Sequence, residues 1–188
     1  MNKDIIVWEN VNVRPTNYNH KDFNCGDCTT RALTYSLNFL GDNRTYKEIE
    51  DEQYRLAKEM NHKMSLQPNY KQTYNYHRNT NGIWDKLILA KGYTWLHLNR
   101  KKSNGYLIKW FGSINKPILM LSNHHVCVAH NGKLIDTWNS CGIRIENVCV
   151  PNELVNTIST ILEINGIMVE KVCKPVLTIS PRKSRYYC

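Results

Sequence analysis

Three residues of the chain carry side chains that together could cleave an amide: Cys28, His125 and Asp136. A thiol becomes a strong nucleophile when it loses its proton, an imidazole can take that proton, and a carboxylate can hold the imidazole in one tautomer. Cys28 stands at the first residue of a predicted helix, where backbone N–H groups and the helix dipole stabilise a thiolate. These residue types predict nucleophilic catalysis if the fold brings them together.

The histidine and the carboxylate fall on neighbouring strands of a predicted β-hairpin. Asn131-Gly132 lies between two apolar, β-branched segments and is typical of a tight hairpin turn. Counting outward from this turn predicts that His125 and Asp136 are near neighbours across the ladder. Strand alternation sends His124 to the opposite face. We therefore predict that His125, rather than His124, is the general base.

The other elements predict an α+β fold, with helices first and an antiparallel sheet afterwards. One helix begins at Cys28 and ends before Gly41, and another begins at Thr45, where Glu48 completes a capping box. Further helices are predicted over 82–90, 104–112 and 152–162, a loop over 61–80, and strands over 93–98, 117–121, 125–129, 133–138 and 143–150. We expect the helix that begins at Cys28 to pack on the sheet.

Length and composition predict one folded domain. The chain has 188 residues, of which 41% are hydrophobic and 22% charged, values that favour neither disorder nor a coiled coil. We assign residues 1–180 to the domain and residues 181–188 to a basic tail. The first residues lack a signal-peptide pattern, and no stretch approaches the roughly 20 apolar residues that cross a bilayer. The pattern therefore predicts no membrane partner.

The seven cysteines do not form the even, dense spacing of a secreted disulfide scaffold. Their odd number and scattered positions favour a reducing, cytoplasmic compartment. In that setting a reactive thiol or a metal ligand is a better interpretation of a cysteine than a disulfide framework.

The chain is basic, with a formal net charge of +9. Such a charge permits attraction to nucleic acid or to acidic proteins. However, the basic clusters are short, around residues 100–102 and 182–185, and the chain has neither an RNA-binding consensus nor zinc-finger spacing. The sequence therefore does not favour nucleic acid as a partner.

Two segments, NCGDCTTRAL and NHHVCVAHNGKLIDTWNS, resemble the papain-like superfamily of cysteine peptidases and related amide-cleaving enzymes. CGDC before a helix is similar to the papain CGSC motif, and GDCTTRAL is similar to the GNCLFRAL of OTU deubiquitinases. NHHV and DTWNS resemble the papain segments around its histidine and its asparagine-tryptophan pair. The chain also resembles GDC…HVV…DTW proteins of bacteria and their phages. The resemblance covers about 30 residues.

The resemblance implies a papain-like fold and a cysteine peptidase, amidase or isopeptidase that acts on protein or peptide amides. It implies the triad Cys28, His125 and Asp136, a thioester intermediate, and no metal or other cofactor. The order of the three residues along the chain, with the cysteine at a helix start and the other two on successive strands, is the order of that superfamily.

The oxyanion-hole residue departs from both related patterns. Papain-type enzymes have a glutamine six residues before the cysteine, where this chain has Asp22, and OTU enzymes have an aspartate three before, where it has Cys25. Asn24 is the amide side chain nearest to the cysteine on that side. We therefore predict that Asn24 and the backbone N–H of Cys28 stabilise the oxyanion. Trp138 would shield the histidine–carboxylate pair from water or simply fill the core.

Three other interpretations fit parts of the same pattern. Cys25 and Cys28 form a CxxC at a helix start, which is typical of thiol oxidoreductases, although this leaves the histidine and the carboxylate without a role. The same two cysteines could bind zinc together with His124 or Cys141, but one CxxC is a weak signal. Finally, a catalytically inactive papain-like fold could serve as a binding module.

Overall fold

The computed structural model describes residues 8–10, 28–65, 81–112, 114–122, 125–137 and 139–172. These residues form five α-helices, one 3-10 turn and seven strands. The helices are α1 (Cys28–Phe39), α2 (Tyr46–Ser65), α3 (Asn81–Leu89), α4 (Asn104–Phe111) and α5 (Val155–Ile164), with the 3-10 turn at Asn152–Leu154. The strands are β1 (Trp8–Asn10), β2 (Tyr93–Ser103), β3 (Ile118–Leu121), β4 (Val126–His130), β5 (Lys133–Asp136), β6 (Arg144–Pro151) and β7 (Val169–Val172).

The strands form one sheet in the order β1-β5-β4-β3-β6-β2-β7. Strands β2 to β7 pair antiparallel, which confirms the α+β prediction and the antiparallel core of the sheet. Strand β1 differs, because it pairs parallel to β5, with Asn10 opposite Asp136. Neither β1 nor β7 was expected from the sequence. The helix predictions agree with the structure to within about two residues at most ends, but α2 continues to Ser65 and so includes the first five residues of the predicted loop over 61–80.

Local signals explain where the first two helices begin and end. Gly41 adopts a φ of 84° just after α1, a conformation that favours glycine and closes the helix. At the start of α2, the Thr45 N–H donates to the Glu48 carboxylate at 2.7 Å, and the Glu48 N–H donates to Thr45 Oγ1 at 3.3 Å. This reciprocal pair is the predicted capping box.

The β4–β5 hairpin sets the register on which the site depends. Asn131 and Gly132 have φ values of 49° and 69°, the left-handed conformations that a two-residue type I′ turn requires. Val128 pairs with Ile135, so the next position along each strand places Cys127 opposite Asp136. The aspartate is therefore a diagonal neighbour of the residue just before β4.

Two apolar clusters cover the two faces of the sheet. Val126 and Val128 of β4 pack with α1, α2 and α3, whereas the alternating Cys127 and Ala129 pack with α4 and α5. Alternate residues of a strand point to opposite faces, so the helices sandwich the sheet. In the part of the chain that the structure describes, no helix is long and apolar enough to span a bilayer. Residues 173–188, which include the predicted basic tail, lie outside this part.

A buried carboxylate in α3 makes the stability of this core depend on pH. Asp85 is 3% exposed and accepts a hydrogen bond from Trp95 Nε1 at 2.7 Å. Burial raises the pKa of Asp85 to about 7, although the bond from Trp95 opposes the shift. Below pH 4 the carboxyl group of Asp85 is protonated in both the folded and the unfolded chain. As pH rises from about 4 to 7, only the unfolded chain releases this proton freely, so the folded state loses stability.

We therefore expect Asp85→Asn to stabilise the protein at pH 8 and to have little effect near pH 4. The difference between a pKa of about 7 and an ordinary aspartate value corresponds to roughly 4 kcal/mol as an upper bound. Urea unfolding of the wild type and of Asp85→Asn at pH 4 and pH 8 measures this difference in the free energy of unfolding. A variant that is less stable than the wild type at pH 8 would show that the fold favours the ionised carboxylate.

Candidate active site

The thiol of Cys28 lies at the amino terminus of α1, as the sequence predicts. Ala32, Leu33 and Leu37 bury this helix against the sheet, which fixes its first residue beside the start of β4. Burial alone would disfavour the thiolate. A hydrogen bond and the positive charge of His125 oppose burial, and together with two further hydrogen bonds they lower the pKa of Cys28. The Val126 N–H and the Thr29 hydroxyl also stabilise the thiolate.

The backbone of His125 is fixed by a tight turn. The His125 N–H donates to Ser122 Oγ at 3.0 Å, and the Ser122 N–H donates to the His125 carbonyl at 2.9 Å. We predicted that the strand begins at His125, but β4 begins one residue later, at Val126. The ladder with β3 ends at the pair Leu121 and Val126, and His125 is held next to it by its two hydrogen bonds to Ser122.

The imidazole is held between Asp136 and Cys28. Its Nε2 atom lies 2.6 Å from Asp136 Oδ2, and the two side chains are only 11% and 5% exposed. Since Asp136 occupies Nε2, Nδ1 is left to face the thiol. Burial disfavours the imidazolium, but the hydrogen bonds to Asp136 and Cys28 raise the pKa of His125 to about 9. The lowered pKa of Cys28 and the raised pKa of His125 both favour a thiolate beside an imidazolium.

Asp136 has further hydrogen-bond donors that the sequence analysis missed. The Thr137 N–H donates to Oδ1 at 2.7 Å, and the Ser140 hydroxyl donates to Oδ2. The side chain of Asn104, the first residue of α4, donates to the Ser140 carbonyl at 2.6 Å. Ser140 is visible in the sequence only as a hydroxyl near the carboxylate, and no pattern links it to Asn104.

A shallow cleft of about 290 Å³, part of it open to solvent, lies over the thiol. Its walls come from α1 and from the neighbouring strands β4 and β5. The side chains that line it include Cys28, Arg31, Tyr35, Val126 and Thr137. The cleft therefore gives access to the partly exposed Cys28 from solvent on this side.

One group of potential metal ligands occurs in the described parts of the chain, and it overlaps this site. Atoms of His125, Cys127 and Asp136 lie within 4.8 Å of one another. However, the 2.6 Å separation of the imidazole and the carboxylate is that of a hydrogen bond. It is shorter than the roughly 3.3 Å between two ligands of one zinc ion. Burial also raises the pKa of Cys127 to about 12.

Several residues of the sequence hypotheses lie outside the described ranges: Asn24, Cys25, His124 and Trp138. The oxyanion assignment of Asn24, the CxxC pairing and the shielding by Trp138 therefore stay predictions. Cys141, the other candidate zinc ligand, is partly exposed in the turn that follows β5.

The fold and the site define an α+β protein in which one histidine is hydrogen-bonded both to a cysteine and to an aspartate. No family model, curated protein or solved structure matches this chain. Its function is therefore inferred from the geometry of the site.

Proposed function

We propose that the protein is a cysteine-dependent hydrolase that cleaves an amide or isopeptide bond through a thioester intermediate. Cys28 is the nucleophile, His125 the general base and acid, and Asp136 the group that orients the imidazole. The observation that carries the proposal is the placement of one imidazole between the Cys28 thiol and the Asp136 carboxylate. A structural cysteine at a helix start needs neither of these partners.

The mechanism follows from the ion pair. The thiolate attacks the substrate carbonyl carbon, the C–N bond of the tetrahedral intermediate breaks, and the imidazolium gives its proton to the leaving amine. The neutral imidazole then takes a proton from water as its oxygen attacks the thioester carbonyl, and cleavage of the C–S bond releases the carboxylic acid and restores the thiolate beside the imidazolium. Asp136 holds Nε2–H throughout, so that Nδ1 stays directed at the sulfur. The Cys28 N–H and Asn24 stabilise the oxyanion in this mechanism.

The resemblance to papain-like enzymes supports a papain-like assignment of the fold, because helix α1 and the β4–β5 hairpin carry the residues in that superfamily's order. Protein or peptide amides are the corresponding substrates. The thiols of Cys28, Cys127, Cys141 and Cys149 are all free, which supports a reducing, cytoplasmic location.

The experiment that tests the function combines a trap with a substrate screen. Wild-type protein is mixed with p-nitrophenyl acetate, and intact mass followed by peptide mapping locates the acetyl group. A library of fluorogenic peptide amides and isopeptides then reports hydrolysis. We expect acetylation of Cys28 and turnover of at least one library class. Acetylation without any turnover favours a binding module, whereas rapid formation of a Cys25–Cys28 disulfide under mild oxidation favours an oxidoreductase.

The pKa values of the site predict a distinctive pH dependence. Alkylation of Cys28 by iodoacetamide should reach half its maximal rate at a lower pH than that of an ordinary cysteine, because the thiolate is stabilised. Turnover of an amide substrate should rise with pH over the range in which Cys28 loses its proton. It should fall near pH 9, where His125 loses the proton that the leaving amine needs. Site-resolved mass spectrometry measures the alkylation.

Cys141 provides an internal control for this measurement. Burial raises the pKa of its thiol, so its alkylation should become fast only at higher pH. Identical profiles for Cys28 and Cys141 would contradict the ion pair.

A further inference from the structure

The carboxylate of Asp136 is held at both of its oxygen atoms. Oδ2 accepts hydrogen bonds from His125 Nε2 and from the Ser140 hydroxyl, and Oδ1 accepts one from the Thr137 N–H. The Ser140 side chain is therefore the donor that shares one oxygen with the imidazole. Rotation of the carboxylate away from the imidazole would break this bond as well.

Ser140 is held in turn by Asn104, on the face of the sheet opposite α1. Asn104 Nδ2 lies 2.6 Å from the Ser140 carbonyl oxygen and 3.4 Å from its Oγ. Asn104 and Ser140 are 0% and 1% exposed. The hydroxyl has one proton, which it gives to Asp136. Its oxygen then accepts from the amide, so the direction of the Ser140 donor is fixed.

Asn104 also lowers the stability of the folded state at this position. Its Oδ1 is buried and has no hydrogen-bond partner among the residues that the structure describes. A buried acceptor without a partner destabilises the folded state, and an apolar side chain of the same size would avoid that effect. Its two amide hydrogens are directed at Ser140 and at the Cys127 sulfur, 3.6 Å away. The presence of Asn104 is therefore better explained by the orientation that it gives to Ser140 than by a contribution to the stability of the fold.

We propose that Ser140, oriented by Asn104, is a positioning residue that locks the Asp136 carboxylate and through it the His125 imidazole. This inference rests on the proposed function, since it assigns Ser140 a role in the same reaction. Neither residue contacts the thiol or the substrate cleft. Their effect on catalysis therefore passes entirely through the orientation of the imidazole.

The test compares Ser140→Ala and Ser140→Thr in the full-length protein. We expect Ser140→Ala to lower the rate of p-nitrophenyl acetate turnover by about tenfold, less than Asp136→Ala does. It should also move the acidic limb of Cys28 alkylation to higher pH, because a loosely held imidazole stabilises the thiolate less. Ser140→Thr keeps the hydroxyl and should therefore have the wild-type turnover rate and the wild-type pH profile of Cys28 alkylation. The downfield NMR signal of the His125 Nε2 proton should weaken in Ser140→Ala and vanish in Asp136→Ala.

Ser36→Ala is the matched control, because Ser36 is also fully buried and its hydroxyl has no hydrogen-bond partner among the described residues. It should leave the alkylation profile unchanged. If Ser140→Ala lowered only the unfolding midpoint and kept the wild-type pH profile and NMR signal, the positioning role would be overturned. A wild-type protein without acetylation of Cys28 would instead overturn the proposed function.

Discussion

Replacing Cys28 with Ser or Ala is expected to abolish turnover of p-nitrophenyl acetate and of any amide found in the library screen. A serine hydroxyl has a far higher pKa than a thiol, and the site is arranged to ionise a thiol through one imidazolium and the Val126 N–H. Alanine removes the nucleophile altogether. Steady-state rates measure the loss, and urea unfolding should show that both variants still fold.

Two other cysteines serve as controls for this experiment. Cys141→Ala removes a partly exposed thiol near the site and should keep the wild-type rate. Cys25→Ala should also be active, because a hydrolase does not need the second cysteine of the CxxC. Equal and complete loss in Cys25→Ala and Cys28→Ala would replace the hydrolase hypothesis by the oxidoreductase or zinc hypothesis.

His125→Ala should be nearly as damaging as loss of the nucleophile, lowering the rate by about a thousandfold or more. The variant loses both the proton acceptor and the group that stabilises the thiolate. Because only the Val126 N–H and the Thr29 hydroxyl then oppose the effect of burial on the Cys28 thiolate, alkylation of Cys28 at neutral pH should become slow as well. The two measurements together separate a lost base from a misfolded protein.

His97→Ala is the matched control, since His97 is exposed on β2 and is hydrogen-bonded to Asn147. It should behave like the wild type. His124→Ala should be mild, because His125 is the histidine that the structure places between the thiol of Cys28 and the carboxylate of Asp136. A severe loss in His124→Ala together with an active His125→Ala would show that the wrong histidine had been chosen as the base.

The fold could be predicted where short-range signals determine it. The capping box at Thr45 and Glu48 and the turn at Asn131 and Gly132 both involve neighbours in the sequence, so the pattern contains the information. Strand β1 has three residues, and its parallel pairing with β5 depends on contacts across most of the chain. Strand β2 continues through the polar residues 99–103, which carry no apolar alternation. Pairing with β6 extends it, with a shift in register.

In the candidate site too, the residues placed by local sequence signals could be predicted, whereas those placed by long-range packing could not. The neighbourhood of His125 and Asp136 follows from counting residues out from one turn, and the thiol follows from its place at a helix start. Asn104 could not have been found, because it reaches the site only through the packing of α4 on the face of the sheet opposite α1. A buried asparagine in a helix has no pattern that distinguishes it from an ordinary capping residue.

The hairpin that carries His125 and Asp136 has a consequence for the order in which the site is assembled. These two residues are 11 positions apart and joined by a tight turn, so a short loop closure brings them together. Cys28 is about a hundred positions away from the histidine, and its approach requires closure of a much longer loop. A hairpin forms within microseconds, whereas non-local pairing is slow. We therefore expect His125 and Asp136 to come together before Cys28 joins them, so that a thiol with a lowered pKa would mark a chain that has completed its folding.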